Sequence, residues 1–252
     1  MIIISPAKNL NLDEENKVKF ESLPVFLSDS KKIANKLKLL NVQSIQSLMN
    51  ISSSLAKVNF ERFKYINNKS NIKKAASFLF SGDTFNGLSI RSLEKNDLLY
   101  AQKNLRILSG LYGMLKPLDI IEPYRLEMAT KTNNIIGKNL YDFWKDKITA
   151  NLNSDIKKNK SNFLFNLASN EYFSAINMSK IDCRIINFDF KKIKNHKLSG
   201  IGMMVKKLRG AMAHFIIVNK IKKIENLKKF NNFGFQFSKF ISHENKFLFV
   251  SK

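Results

Sequence analysis

The residues most able to do chemistry in this 252-residue chain are a set of cations with two acids among them. They are Lys8 in Ile4-Ser5-Pro6-Ala7-Lys8, Arg125 and Glu127 on either side of Leu126, Lys131 just beyond, Glu171 after Ser169-Asn170, and Lys206 followed by Arg209. Such a set suits a phosphate-bearing polyanion, because guanidinium and ammonium groups make charge-assisted hydrogen bonds to phosphate oxygens. Arg125 and Glu127 are two apart, so extended backbone points them the same way and lets them pair. A purely structural salt bridge is the alternative reading of that pair. If the same residues turned over a nucleotide or a nucleic acid, Glu127 or Glu171 would be the general base, with Ser109 beside them. The cations would then stabilise charge developing on phosphate.

Other chemistries lack their signatures. His196, His214 and His243 have no metal-ligand spacing with one another or with Cys183, so no metal site and no cofactor is expected. There is no Walker phosphate loop, no GxGxxG and no nucleophile elbow. The single cysteine, Cys183, excludes an internal disulfide framework and a two-cysteine peroxidase; leading into an apolar strand, it reads as packed and inert. No apolar run approaches the roughly 20 residues of a membrane helix, and Met1-Ile2-Ile3-Ile4 opens without a basic leader, so the expectation is a cytoplasmic protein with no membrane partner.

The net charge of +23 points to a polyanionic partner. Only six of the 43 basic residues are Arg, however, and the chain is rich in Lys, Asn, Ile and Phe, as AT-rich coding would make it. Composition drift therefore competes with function for the excess charge, and a retained Arg says more than another Lys. Arg62 and Arg106 read as structural ion pairs, whereas Arg125 and Arg209 fall among the candidate site residues.

Short apolar runs predict strands at Met1 to Ile4, Ser77 to Phe80, Leu105 to Leu108, Phe163 to Leu167, Arg184 to Phe188, Phe235 to Ile241 and Lys246 to Val250. Helical patterns cover Ser28 to Leu40, Ser44 to Met49, Ser54 to Tyr65, Glu94 to Lys103, Leu140 to Asn151, Asn170 to Ile176 and Gly202 to Lys220. The Lys/Asn-rich stretches Asn67 to Lys74, Asp155 to Asn162 and Lys191 to Lys197 read as solvated loops. The alternation implies an α/β (mixed α+β) fold with a central mixed sheet and surrounding helices. One domain over residues 1–252 is expected, with a helical subdomain at about 28–65.

Polar turns follow three of these strands, at Ser5 to Lys8, Ser109-Gly110 and Asn166 to Glu171, and ligands in open α/β sheets bind beyond the strands' carboxyl ends. Ser169 or Asn170 would cap the next helix, with or without an anion on its amides. Lys206, Arg209 or Gly210, and Ala213 share helical spacing, so the two cations fall on one face, with helix packing as the alternative. The stretch Leu108 to Asp119 holds two of the nine Gly and one of the four Pro, which specifies a particular loop path fit for a site. Within 28–65, two helical patterns meet at Leu39 to Ser44, where Asn41 would take a left-handed turn and Ser44 would cap the following helix. That arrangement would let turn amides hold a phosphate, but the usual glycines are absent and an ordinary helical hairpin is the alternative.

Several ordered blocks carry a family resemblance. They are Ile4-Ser5-Pro6-Ala7-Lys8, Phe80-Ser81-Gly82-Asp83 with Gly87-Leu88, Leu108 to Asp119 with Pro123 to Met128, Asn139 to Trp144, Asn166 to Phe173, and Lys206 to Gly210. In these the chain closely resembles the YaaA family of bacterial peroxide-stress proteins over nearly its whole length. The resemblance implies a YaaA-like fold with a helix-hairpin-helix element near 28–65, where Ile51-Ser52, Leu55-Ala56 and Asn59 to Phe63 match the family pattern. It also implies duplex DNA binding without strong sequence preference, and a role in limiting iron-dependent oxidative DNA damage. The phosphate-binding set would then be Lys8, Asn41, Ser44, Arg125, Lys131, Asn170, Lys206 and Arg209. A nucleotide or other polyanion, bound by an enzyme, is the alternative partner. The chain departs from the family at His214, which stands where an arginine is expected.

Overall fold

Three consecutive isoleucines at 2–4 leave no polar face, as a strand covered on both sides requires, and they are 1%, 0% and 0% exposed. They form β1 (Ile2–Ile4) in the computed structural model, which describes residues 1–12, 22–132, 135–239 and 242–251. After β2 (Asn9–Leu10) come three helices, α1 (Leu27–Leu37), α2 (Val42–Met49) and α3 (Ser53–Tyr65). A tight run follows, β3 (Lys74–Ala75), α4 (Ala76–Leu79), β4 (Phe80–Ser81) and α5 (Asp83–Leu88). Next in order are α6 (Lys95–Asn104), β5 (Leu105–Ser109), β6 (Gly113–Leu115), β7 (Ile120–Ile121), α7 (Leu140–Lys158), β8 (Phe163–Leu167) and α8 (Asn170–Phe173). The hairpin β9 (Arg184–Lys194) and β10 (Lys197–Ser199), the helix α9 (Met204–Val218), and the strands β11 (Gln236–Phe237) and β12 (Lys246–Ser251) complete the chain.

The central sheet has 8 strands, in the order β11-β12-β9-β8-β1-β5-β6 with β10 paired to β9. Strands β12, β9, β8, β1 and β5 run parallel, and antiparallel β11, β10 and β6 flank them. The chain leaves β1 for β5 on one side and later returns to β8 on the other. That reversal opens a crevice at the carboxyl ends of β1 and β8, where an open α/β sheet takes its ligand. Helix α9 packs against β1, β8 and β9 and crosses α5. At the crossing, a Cβ on Gly210 would lie 1.9 Å from the Thr84 carbonyl oxygen, and one on Gly87 2.0 Å from that of Lys207. Only paired glycines permit helices this close.

Several local expectations needed correction. The run Ser77 to Phe80 is apolar enough for a strand, but only Phe80 enters one (β4); Ser77 to Leu79 lie in the single turn α4, because the Pro117 carbonyl accepts both the Ser77 N–H and its hydroxyl. Helix α7 continues to Lys158 through part of the supposed loop, keeping Leu152 and Ile156 on the buried face started by Trp144 and Ile148. The lysine run at 191–197 is the tip of the β9–β10 hairpin. Asn195 and His196 both hold positive φ, 49° and 59°, as a two-residue hairpin turn requires. Lys74 is no solvated lysine, since it is 2% exposed and donates to the Asn11 carbonyl. Of the strand expected at Phe235 to Ile241, Gln236–Phe237 is present, and residues 240–241 lie outside the described residues.

The region 28–65 is helical, with a different turn chemistry. Asn41 is extended (φ −82°, ψ 175°), and its side chain accepts the Ser44 N–H, so Asn41 caps α2 and Ser44 does not cap. The left-handed residue is Asn50 (φ 49°), between α2 and α3, with Ser52 capping α3. Ile33, Leu37, Ile45, Leu48, Ala56 and Phe63 join the same buried cluster as the sheet.

Candidate functional site

The turn after β1 and the turn after β8 meet as their positions demand. The Ser5 hydroxyl accepts the Ser169 N–H at 2.8 Å and donates to the Ser169 hydroxyl at 3.2 Å. Ser169 holds the cap position of α8 without a side-chain cap bond. Helix α8 spans four residues, too few for a macrodipole to steer an anion. Asn170 is its exposed first residue and lies outside the cleft that these turns bound.

That cleft has a volume of about 470 Å³. Lys8, Lys206 and Arg209 bring positive charge to it, Asp83 and Glu171 negative charge, and Ser5, Ser81, Thr84, Ser169 and Tyr172 hydrogen-bonding groups. The helical spacing of Lys206 and Arg209 does place both on one face. Gly210, next along, turns to α5. Of the three cations only Arg209 is half-buried; Lys8 and Lys206 are exposed. Burial pulls its guanidinium below the ordinary value against the opposing charge of Asp189, and among the described residues it has no hydrogen bond or ion pair. His214, one turn on, bonds the Leu88 carbonyl through Nδ1 at 2.9 Å and serves the α5–α9 contact.

Glu127 ties a third segment to the cleft. Its Oε1 accepts from Lys8 Nζ at 3.0 Å and from Arg125 Nη2 at 2.8 Å and Nε at 3.2 Å. Burial raises the carboxyl, but the hydrogen bonds and charges of Lys8 and Arg125 together outweigh it and hold the group below its usual range. A carboxylate so held is a weaker proton acceptor than a free one. Its linkage has a definite sign. A depressed folded value contributes stability that is fully present above the unfolded value near 4.5 and is lost as pH falls through the folded one. Urea midpoints of the wild type and Glu127→Gln should therefore differ most at neutral pH and converge as pH falls through the folded value. A gap that is constant across that range would show that Glu127 does not titrate as a paired carboxylate.

Glu171 accepts the Ala129 N–H at 3.3 Å, so the segment after Glu127 also docks on the cleft wall. Tyr172, its hydroxyl raised by burial first and by nearby tyrosine and carboxylate charges, stays neutral. Lys131 is exposed and does not line the cleft.

The glycine-rich stretch plays a different part from the one its composition suggests. None of Leu108 to Asp119 lines the cleft. Ser109 is 0% exposed, with its hydroxyl shared between the Tyr124 hydroxyl at 2.7 Å and the Tyr112 N–H at 2.8 Å. Asp119 is buried, accepts from the Ser22 hydroxyl and the Lys116 N–H, and is raised chiefly by desolvation. A Cβ at Gly110 would sit 2.3 Å from the Leu126 carbonyl oxygen, and the Gly110 carbonyl accepts the Trp144 Nε1–H at 2.9 Å. The loop is thus a rigid bed for Arg125-Leu126-Glu127. Sequence reasoning missed Asp83, Thr84 and Tyr172 as cleft residues, although Phe80-Ser81-Gly82-Asp83 was itself a legible block.

Arg106 is the structural ion pair expected, bonded to Asp155 at 2.8 Å. Arg62 differs. It reaches Asn59 at 3.4 Å and has no ion pair among the described residues; burial and then the charge of Arg125 lower its guanidinium. Helix α3 therefore adjoins the Arg125–Glu127–Lys8 chain that leads into the cleft. Burial pushes the Cys183 thiol up, as fits an inert side chain. Among the described residues no three His, Cys, Asp or Glu side chains cluster as metal ligands, and no helix is long and apolar enough to cross a membrane.

A UPF0246 protein of Rickettsia africae is 44% identical over 250 residues, covering 99% of both chains. One of Alteromonas mediterranea is 42% identical over 240 residues, 94% of this chain and 93% of the relative, and one of Legionella pneumophila is 40% identical over 253 residues, 99% and 98%. The family model described as peroxide stress protein YaaA matches residues 1–240. With that model spanning nearly all of the chain and every block of the cleft, the chain belongs to the YaaA family of peroxide stress proteins.

Proposed function

We propose that this peroxide-stress family member works in the cytoplasm by binding duplex DNA without strong sequence preference, and so limits iron-dependent oxidative damage to it. The observation that carries this reading is Arg209, a permanent cation partly withdrawn from water at the cleft with no direct partner among the described residues. Phosphate supplies the missing counter-charge and accepts bidentate hydrogen bonds in the geometry a guanidinium offers. Lys206 beside it and Lys8 across the cleft extend the contact. Arg62 on α3 and Arg125 continue the positive path to the helical region. Nothing in this set reads base edges; it recognises backbone, which positions a protein without telling it the sequence.

The test is a titration of the protein against fluorescent duplexes at several salt concentrations. With three cleft cations on phosphates, log affinity should fall against log salt with a slope of about −3 or steeper, and AT-rich and GC-rich duplexes should bind within about threefold of each other. The same preparation should slow the nicking of supercoiled plasmid by ferrous iron and peroxide. Absence of duplex binding at about 50 mM salt would sink the reading, since phosphate contacts are strongest there.

A further inference from the structure

A second cleft, equal in volume to the first at about 470 Å³, lies at the opposite end of the sheet. The first is bounded by residues that follow β1 and β8, the second by Ile2, Phe163 and Phe165 at their starts. Helix α9 connects the two. Lys206 and Arg209 are in its first turns, while Ile216 and the following Ile221 and Lys222 reach the second cleft. Its 15 residues put the clefts about 20 Å apart.

The second cleft is the more one-sided in charge. Lys103, Lys158, Lys160 and Lys222 line it with no carboxylate, and among the described residues none of the four has an ion pair or a side-chain hydrogen bond. Part of this charge has a structural use, because α6, α7 and α9 all end here and their carbonyl termini are negative. Three helix ends carry roughly −0.5 each, about −1.5 together, against four lysines, so a clear positive excess is left. The Asn104 and Asn159 amides donate to the Tyr100 and Lys103 carbonyls, and Ser161 and Asn162 add neutral groups around the cleft. Polyvalent phosphate is the ligand chemistry that such a wall fits, since clustered lysines gain most from releasing the counterions of a phosphate backbone.

We infer that this is a second nucleic-acid backbone site, and that the protein binds two duplexes at once and bridges them. The inference rests on the DNA reading of the first cleft and deepens it: a bridged, compacted duplex has more of its backbone against protein and less open to diffusing oxidant.

The experiment mixes donor-labelled and acceptor-labelled duplexes with the full chain and reads energy transfer between them. Wild type should give transfer that peaks when duplex exceeds protein and falls at excess protein, where each duplex has its own. The variant Lys103→Gln/Lys158→Gln/Lys160→Gln/Lys222→Gln, altered only at exposed side chains, should keep its affinity for a single duplex within about threefold and lose the transfer. Bridging by the variant equal to wild type would assign it to the first cleft in a self-associated protein and overturn the second site. Single-duplex binding by wild type without transfer at any ratio would overturn the second site and leave the first. No duplex binding at all would remove both.

Discussion

Gly210→Ala should lower the unfolding temperature by roughly 6–12 °C. The added methyl would stand 1.9 Å from the Thr84 carbonyl oxygen and 2.7 Å from the Leu88 nitrogen. Both are backbone atoms in α5, so no side-chain rotation relieves the clash and the two helices must separate. Overpacking a core costs typically ~1–3 kcal/mol, and ~4 kcal/mol is expected here because backbone must move, whereas alanine regains up to ~1 kcal/mol of helix propensity. A net loss of about 3 kcal/mol, at 2–4 °C per kcal/mol for a chain of this length, gives the predicted range. Gly200→Ala is the matched control, because nothing lies within 4 Å of a Cβ there. If Gly210→Ala melts with the control, α5 and α9 do not cross as closely as described. The same variant tests the site, since α5 brings Asp83 and Thr84 to the cleft and α9 brings Lys206 and Arg209. Spreading these helices should weaken duplex binding even where the protein remains folded.

In the background of the four second-cleft Lys→Gln changes, adding Lys8→Gln, Lys206→Gln and Arg209→Gln should weaken duplex binding about 100-fold near physiological salt and flatten the salt slope by about 3. Each backbone contact contributes a slope near −0.9, so three contacts scale affinity by roughly the 2.7 power of the salt concentration. The loss should be similar on every duplex sequence, because no base contact is removed. Lys131→Gln removes the same formal charge as any one of these substitutions, from an exposed side chain outside the cleft, and should change little. Equal losses from Lys131→Gln and from any single cleft variant would mean that affinity follows overall charge, and that composition drift rather than a built site binds the DNA.

Charge alone could not make that distinction. A net charge of +23 is compatible with a cleft, a stripe or an even coat of lysine, and only the fold separates these cases. The six arginines were more telling than the lysines, yet their roles divided on burial and on partners 49 or 60 residues away in sequence. Arg106 meets Asp155 and Arg184 meets Glu244, whereas Arg209 meets neither a carboxylate nor a carbonyl among the described residues.

Local pattern sufficed where the determinant was local. The short apolar runs of β1, β5 and β8, buried on both faces, and the spacing of α3 and α9 were legible because local composition and side-chain periodicity set which faces are buried. The Arg125–Glu127 pair was legible because two residues in extended backbone share a side. Local pattern failed where a distant group supplied the partner. Ser77 enters a turn because Pro117 accepts its hydrogen bonds, and the left-handed residue moved from Asn41 to Asn50 because the α2–α3 packing sets where that turn falls. Lys74 is buried among segments that composition cannot bring together.

The amino-acid sequence by itself determined the family, the mixed α/β class, the strands that form the sheet centre, and the identity of Lys8, Glu127, Lys206 and Arg209 as residues of interest. Those conclusions rest on ordered blocks and short-range periodicity, which survive without coordinates. Tertiary structure alone decided that Leu108 to Asp119 is a buried bed beneath Glu127 and not a cleft wall, that Ser109 is sealed between two tyrosines, and that Asp83 enters the cleft. It alone revealed a second basic cleft at the far end of α9. The physical reason is the same in each case: whether a polar side chain meets solvent, a ligand or a buried partner depends on groups brought near by sheet order and helix crossing, and sequence spacing does not encode those distances.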